Sequence, residues 1–486
     1  MKTSRGLTPE ERDFFSKVTQ IVLSNNFSDK RHDLENSLLP GLGSDRQRWS
    51  VRFQALLGEW VSRLTARGLH RIQDFSGDDR EIMEYGFLMD VYLSFVPQLD
   101  AIIEAQLQHD APVEVPFAKE MLSRLTQYGF TMKTSLRYLA LFHQLRRAFY
   151  FIKHSLVGDS ASMKQLRHEL WSNVFTRDAR IYDRHLWNRL EDFSTLLLGE
   201  TGTGKGSAAA AIGRSGYIPF DRKSGCFKDS FTTTFIAANL SQFPESLIES
   251  ELFGHRKGAF TGAIDNHKGL FGRSSVHGAL FLDEIGDISI PVQLNLLQVL
   301  QERTFTPVGS HDIQRFSGRL IAATNRPLHE LRQQGSIRDD FFYRLCSDVI
   351  TIPTLRQRIE ESPSELELLV DLLVTRLTGD TYSELTDMVM EALKRDLPVG
   401  YPWPGNVREL EQAVRRVLLT GMYTGESVTT KRGDDVCERI GLGTITAKEL
   451  LVHYCSLLYD RFGTYEEVAR RTGLDRRTAK KHVLDQ

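Results

Sequence analysis

Three consecutive leucines, Leu196-Leu197-Leu198, pass directly into Gly199-Glu200-Thr201-Gly202-Thr203-Gly204-Lys205. This junction restricts the fold more than any other stretch. The leucines read as a buried strand and the residues after Lys205 as a helix, so the glycines must turn the chain between them. In a strand, glycine loop and helix arranged this way, backbone N–H groups surround an anion. The helix N-terminus adds positive potential, and Lys205 reaches the terminal phosphates. The hydroxyl that commonly follows such a lysine is replaced by Gly206, with Ser207 next. A second apolar run, Ala279-Leu280-Phe281-Leu282, ends in Asp283-Glu284. Asp283 at a strand end can hold a hydrated Mg²⁺, and Glu284 can polarise an attacking water. Alone, each motif has a plainer reading, as a glycine-rich turn or as an acidic strand end kept in water. Together they specify nucleotide hydrolysis.

Length and composition bound the rest. At roughly 100–200 residues per domain, the chain makes about three domains. With 41% hydrophobic and 26% charged residues it reads as an ordinary globular protein. A formal net charge of −2 means that any surface for a polyanion is local. Cys226, Cys346, Cys437 and Cys455 are widely spaced, which argues against a zinc site or a disulfide framework and fits a reducing cytoplasm. The first residues are charged rather than apolar, and no run of about 18 apolar residues occurs, so neither a signal peptide nor a membrane span is expected.

The pattern changes along the chain. Residues 1–165 read as a helical domain. Thr8-Pro9-Glu10-Glu11 has the form of an N-cap, a first-turn proline and a capping-box glutamate, and Phe14, Phe15, Val18, Ile21 and Val22 recur at helical spacing. Further helices are expected over about 49–69, 80–107 and 117–156, with Asp78-Asp79 as a solvated helix start. From Phe193, short apolar strands alternate with helices: 195–198, 234–238, 279–282, 320–323 and 349–352. Such alternation implies a parallel sheet covered on both faces. Helices return after Pro353, residues 424–444 read as a linker, and 445–486 carry short helices.

Between the two nucleotide motifs stands Gly258-Ala259-Phe260-Thr261-Gly262-Ala263. Its glycines permit a sharp turn and leave Phe260 and Thr261 at the tip. Taken alone it is an ordinary turn whose Phe tucks into the core. Within the longer run Glu249-Ser-Glu-Leu-Phe-Gly-His-Arg-Lys-Gly-Ala-Phe-Thr-Gly-Ala263, however, it resembles the sigma-54-activating branch of AAA+ ATPases, in which this loop touches the sigma factor.

The resemblance extends in order from about Phe193 to Leu419. It implies an AAA+ α/β domain over 175–355 and a helical lid over 356–423, working with ATP and Mg²⁺. Gly199 to Gly206 would hold the phosphates, and Asp283 would hold Mg²⁺ through water. Asn239, ending the strand before the loop, would hydrogen-bond the catalytic Glu284. Thr324 and Asn325, in Ala322-Ala-Thr-Asn-Arg326, resemble the sensor that reads the γ-phosphate. Arg338 and Arg344 fall in the arginine-finger segment, where a guanidinium acts on a neighbouring subunit; the family forms hexamers. Arg408, in Trp403-Pro-Gly-Asn-Val-Arg-Glu-Leu410, resembles the lid arginine that reaches the nucleotide. The chain departs from the family at Gly206, where Glu is usual, and in the stretch before Phe193, which lacks the segment that helps hold adenine. The segment after Lys205 is also longer than usual.

The C-terminal Thr464-Tyr-Glu-Glu-Val-Ala-Arg-Arg-Thr-Gly473-Leu-Asp-Arg-Arg-Thr-Ala-Lys-Lys-His-Val-Leu484 reads as helix, turn and helix, packed through Val468, Ala469, Leu474, Ala479 and Val483. Arg476, Arg477, Thr478, Lys480 and Lys481 on the second helix suit groove insertion with phosphate contacts, and the family often ends in a Fis-like module of this shape. The expected protein is a bacterial cytoplasmic sigma-54-dependent activator without membrane attachment. Its C-terminal module binds upstream DNA and its ATPase ring acts on sigma-54 RNA polymerase. Two rival readings are a DNA-binding repressor independent of sigma-54 and an ATP-driven remodeller of another protein.

Overall fold

Helix formation begins at the expected capping signal. In the computed structural model, which describes residues 6–41, 46–425, 440, 443 and 445–484, the Thr8 hydroxyl accepts from Glu11 N–H at 3.3 Å. The Glu11 carboxylate accepts from Thr8 N–H at 2.7 Å, closing a capping box. Helix α1 (Pro9–Leu23) is followed by α2 (Asp29–Leu38), α3 (Arg46–Ala66), α4 (Asp78–Ser94), α5 (Val96–Gln108), α6 (Ala118–Gln127), α7 (Met132–Ser155), α8 (Ala161–Phe175) and a short α9 (Ala179–Ile181).

Two of the long expected helices are broken. Pro97 cannot continue α4, because its ring would meet the carbonyl four residues back, so a new helix starts after Phe95. Gly129, at φ +93°, ends α6, and the Thr131 side chain caps α7. Asp79 is not solvated as expected. It is buried, with its carboxylate bound to both Arg12 Nε at 2.8 Å and Nη2 at 3.0 Å, and to Leu7 N–H at 3.2 Å. Among the described residues no single helix is long and apolar enough to cross a membrane; α4 and α5 pass only as a pair bent by 57°.

Strand β1 (Thr195–Leu198) opens the second layer and α10 (Lys205–Gly213) follows the glycine loop. Next come a hairpin of β2 (Phe220–Asp221) and β3 (Cys226–Phe227), α11 (Phe231–Thr234), β4 (Phe235–Asn239), α12 (Glu245–Phe253), α13 (Leu270–Arg273), β5 (Ala279–Asp283) and α14 (Ile290–Glu302). After a second hairpin, β6 (Thr304–Phe305) and β7 (Gln314–Arg315), come β8 (Arg319–Thr324), α15 (Leu328–Gln333), α16 (Asp339–Leu345) and β9 (Asp348–Thr351). The five long strands lie in the order β4-β5-β8-β1-β9, all parallel. Their register sets Asn239 beside Asp283 and Leu198 beside Thr324, so the motif-bearing ends share one edge. Ligands of parallel sheets bind at that edge.

Successive side chains of a strand point to opposite faces, which explains two cores. Leu196, Leu280, Leu282, Leu320 and Ala322 pack on one face with Leu296, Phe341 and Phe316. Leu197, Phe281, Ile321, Ala323 and Ile350 pack on the other, in a cluster that also contains Phe15, Phe53, Phe87 and Leu139. The expected domains 1–165 and 175–355 therefore share one continuous apolar core.

Polar contacts reinforce that junction. Arg319 donates to Asn173 Oδ1 at 2.9 Å and to the carbonyl of Phe193 at 3.1 Å. The buried Arg358–Glu365 pair, 2.6 Å apart, is completed by Asp159 N–H on Glu365 at 2.7 Å and by Arg358 on the Val157 carbonyl at 2.7 Å. Such a pair is tolerated in the interior because further hydrogen bonds satisfy both partners. The long segment after Lys205 also has a structural role. Its β2–β3 hairpin stacks Phe227 on His143 of α7 at 3.9 Å and takes Val115 N–H on the Gly225 carbonyl at 3.0 Å. Burial holds the His143 imidazole well below its ordinary pKa, which suits a ring stacked in an apolar layer.

The lid comprises α17 (Leu355–Glu361), α18 (Ser364–Thr378), α19 (Ser383–Asp396) and α20 (Asn406–Thr420). The chain separates into two units, Met1–Glu391 with Val399–Gly421, and Ala392–Pro398 with Met422–Gln486. The second contains α21 (Ala447–Phe462), α22 (Tyr465–Thr472) and α23 (Arg476–Leu484), packed around Cys455, Leu458, Val468 and Ala479. Most of the expected linker 424–444 lies outside the described residues.

Candidate active site

The glycine loop takes the form the sequence predicts. Gly202 and Gly204 hold φ of +79° and +104°, and Lys205 opens α10 with its side chain buried. Lys205 Nζ donates to the carbonyls of Gly199 at 2.9 Å and Glu200 at 3.2 Å, within the cradle where phosphate oxygens would compete for it. A Cβ on Gly202 would collide with the carbonyl of Gly405, so the loop and lid meet at backbone distance. A Cβ on Gly206 would meet nothing within 4 Å. The missing hydroxyl is thus not excluded by packing.

Asp283 ends β5, and Glu284 follows with a left-handed φ of +57°. That conformation is uncommon for a residue with a side chain and is held by its surroundings. Glu284 N–H donates to Asp283 Oδ1 at 3.0 Å, while its carboxylate accepts from Asn325 N–H at 3.3 Å. Asn325 Nδ2 reaches Thr201 in the glycine loop at 3.0 Å, so one residue joins the acid to the phosphate cradle. Thr324 ends β8, and its hydroxyl accepts from Arg326 N–H at 3.1 Å.

Burial, and next the charge of Asp283, push the Glu284 carboxyl above the usual carboxylate range against the pull of Lys205. A base poised upward in this way is better matched to proton acceptance near neutrality. Burial lowers the Lys205 ammonium, opposed by Glu284 and Asp283. Among the described residues no group of three His, Cys, Asp or Glu side chains could hold a metal alone. The acid pair and phosphate cradle fit an ion that arrives with the nucleotide.

The expected hydrogen bond from Asn239 to Glu284 is not what this conformation uses. The Asn239 amide oxygen instead accepts from Ser241 N–H at 3.0 Å, although its backbone lies beside Asp283. Arg408 stands with its Cβ close to Gly202 of the loop. The neighbouring Asn406, overlooked in the sequence, makes the tighter link. It is fully buried with φ +53°, donates to Glu200 at 3.1 Å and to the Thr201 carbonyl at 3.1 Å, and accepts from Leu355 N–H at 2.8 Å. Arg356 grips Glu200 from the lid, at 3.0 Å for one of its two bonds, and holds that carboxyl below its ordinary value. The contacts of Arg338 and Arg344 lie outside this crevice. Arg338 is partly exposed and pairs with Asp340 at 2.8 Å, and Arg344 Nε donates to the Leu300 carbonyl at 3.0 Å.

The loop at 258–263 is a closed turn on a narrow stem. Gly258 and Gly262 hold φ of +81° and +104°, and Gly258 N–H donates to the Ala263 carbonyl at 2.8 Å. His255 pairs with His267 and with Val308, and Arg256 N–H donates to the Val308 carbonyl at 3.0 Å. The segment 305–310 therefore stands beside the stem. Phe260 is 37% exposed, with its ring edge against His255 at 4.9 Å. Phe260 therefore does not tuck into the core, and within 258–263 only Ala263 is buried.

Residues 179–352 match the sigma-54 interaction domain, and residues 360–432 match the AAA+ ATPase lid domain. The central region belongs to the sigma-54-activating AAA+ family. The DNA-binding transcriptional regulator NtrC of Azospirillum brasilense is 42% identical over 249 residues, which are 51% of this chain and 46% of that protein. The transcriptional regulatory protein ZraR of Salmonella typhimurium is 41% identical over 250 residues, 50% of this chain and 52% of its own. The regulatory protein AtoC of Escherichia coli is 33% identical over 304 residues, with coverages of 63% and 58%. The chain thus spans about half the length of the curated relatives it matches. The glycine loop, the acid pair, Asn325 and the exposed turn all fall within the matched residues 179–352.

In the second unit, Gly473 turns the chain at φ +73° between α22 and α23. Arg477 and Lys481 are exposed. Arg476 pairs with Glu466 at 2.8 Å, and Lys480 lies over the Tyr465 ring at 5.7 Å. Thr478 does not project freely as expected, because its hydroxyl donates to Asp475 at 2.5 Å.

Proposed function

We propose that this chain is an ATP-hydrolysing activator of transcription in the bacterial cytoplasm. It assembles as a ring, holds upstream DNA through α23, and drives loop 258–263 against sigma-54 in RNA polymerase. The observation that carries this reading is the single polar chain Glu284–Asn325–Thr201, which joins the acid to the phosphate cradle of a sigma-54 interaction domain.

Bound ATP with Mg²⁺ supplies the anhydride to be cleaved and the charge that neutralises it. Lys205 exchanges its two loop carbonyls for phosphate oxygens. Glu284 accepts the proton of the attacking water, and Asp283 would hold the ion that comes with the nucleotide. Thr324, ending β8, and Asn325 after it read the terminal phosphate. Arg338, partly exposed at the N-cap of α16, serves a neighbour's site together with Arg344 of that helix, which favours a closed ring such as a hexamer. Arg408 and Asn406 make the lid angle follow occupancy of the loop. Phe260 and Thr261 form the tip offered to sigma-54, and Arg476, Arg477, Lys480 and Lys481 the basic face offered to DNA. The helical domain, fused to the sheet and touching the lid, gates hydrolysis.

The direct test is retention of purified sigma-54 by the full chain in the presence of an ATP transition-state analogue, with a gel shift on upstream DNA at stated salt. Retention that depends on the analogue supports the reading. Absence of retention sinks it and leaves a DNA-bound repressor or a remodeller of another partner.

A further inference from the structure

The helical domain holds a half-open cavity of about 630 Å³ that the nucleotide and sigma-54 readings leave without a use. That volume falls in the range of small-molecule sites, about 300–1,000 Å³. Aromatic rings, among them Trp49, Tyr92, Phe142, Phe149 and Trp171, share its wall with aliphatic side chains. Five of the six charged groups in the wall are ion-paired, and the sixth, Lys153, lies over the Phe149 ring at 5.7 Å. Arg31 pairs with Glu35 at 2.7 Å, Arg146 binds Asp100 at 2.7 Å, and Asp183 is held by Arg137 at 3.1 Å and by the hydroxyls of Tyr85 and Tyr138. With these groups already engaged, burying a further ligand charge carries a high desolvation cost. Neutral polar groups, Ser50 and Gln54, remain in the lining for a ligand hydroxyl or carbonyl.

The cavity is also wired to the nucleotide loop. Leu141, Phe142, Leu145 and Phe149 of α7 face the cavity, at spacings that share one side of a helix. From its other side, Gln144 donates to the Ser215 carbonyl at 2.8 Å, and Arg147 donates to the carbonyls of Arg214 and Gly216, each at 2.6 Å. These carbonyls close the C-terminal end of α10, the helix that Lys205 begins. Tyr182, itself in the cavity wall, donates to Gln144 at 2.8 Å.

We propose that this cavity binds a neutral, ring-bearing small molecule, and that Tyr182, Gln144 and Arg147 pass its occupancy through α10 to the nucleotide loop. The coupling half rests on the ATPase reading. A ligand shifts the ATP site only if it favours one position of α7 over another.

The test uses the full chain with N-phenyl-1-naphthylamine as a neutral fluorescent probe, 1-naphthoate as its charged counterpart, and a fluorescent ATP analogue. One saturable site is expected for the neutral probe. Binding should weaken at least about tenfold in Val96→Trp, which fills the cavity, while the ATP-analogue affinity of that variant without probe stays unchanged. If Val96→Trp does not fold, as judged by circular dichroism, Leu145→Phe takes its place. The naphthoate should bind at least about tenfold more weakly than the neutral probe. Probe binding should shift ATP-analogue affinity by about fivefold or more, and Gln144→Leu should keep the probe but lose the shift. Equal probe binding in the filled variant overturns the site. Equal binding of the naphthoate overturns the ligand class. An unchanged shift in Gln144→Leu overturns the relay. None of these readouts uses sigma-54 or DNA, so failure here is distinguishable from failure of the activator reading.

Discussion

At the nucleotide loop, Glu200 is gripped by Arg356 and Asn406, Thr201 by Asn325, and Lys205 by two carbonyls. At loop 258–263 the backbone closes on itself through Gly258 and Ala263, and a Cβ at Gly258 or Gly262 would meet nothing within 4 Å. One region is over-determined by side chains from four elements. The other is defined by two glycines and a stem, with Phe260 partly in solvent. A site that must aim a water needs the first construction. A surface that must change position against a partner needs the second.

The largest test of that contrast is Glu284→Gln. Removing the base should cut phosphate release about 10²–10⁴-fold while equilibrium binding of an ATP analogue changes less than about twofold; unaltered turnover removes Glu284 from its role. Thr261→Ala should act on the opposite side. Retention of sigma-54 should fall about tenfold or more, as expected when a central contact is truncated, with ATPase rate within about twofold. If both fall together, the turn is part of the catalytic scaffold and the contrast fails.

Asn406→Ala probes the tie between lid and loop. It strands the Leu355 N–H and loosens Glu200 in a buried setting, so ATP affinity should drop by about tenfold, in keeping with roughly 1–3 kcal/mol for unsatisfied partners. An affinity unchanged in titration would make the tie dispensable. The smallest effect concerns pH. Because burial and Asp283 raise the Glu284 carboxyl, the base is lost as pH falls through a value above the ordinary carboxylate range. The acid limb of the ATPase profile should therefore lie above that range. A limb at the ordinary value would contradict the burial seen here.

Much of the ATPase was legible because its chemistry is local. Leu196 to Lys205 and Ala279 to Glu284 each carry strand, turn and catalytic group within ten or so residues, and all five expected strands formed. The hairpin after Lys205 was legible in principle, since Phe220-Asp-Arg-Lys-Ser-Gly225-Cys-Phe227 has a turn glycine between apolar ends. Asn406 was not. Its motif pointed to Arg408, and only the fold shows that Asn406 reaches 205 positions back to Thr201. Asp79 misled for the same reason, because its partners, Arg12 on α1 and Leu7 just before it, lie 67 and 72 positions away.

By itself the sequence determined the phosphate loop, the acid pair, the alternation that builds a parallel sheet and the glycine-flanked tip. Each depends on neighbours in the chain, where backbone geometry and side-chain period act directly. Tertiary structure alone decided that the helical domain shares a core with the sheet, that α7 closes the end of the helix begun by Lys205, and that a cavity lies on the other side of α7. Those outcomes arise from packing between residues far apart in sequence, where the burial of Arg147, Gln144 and His143 depends on what the rest of the chain brings against them.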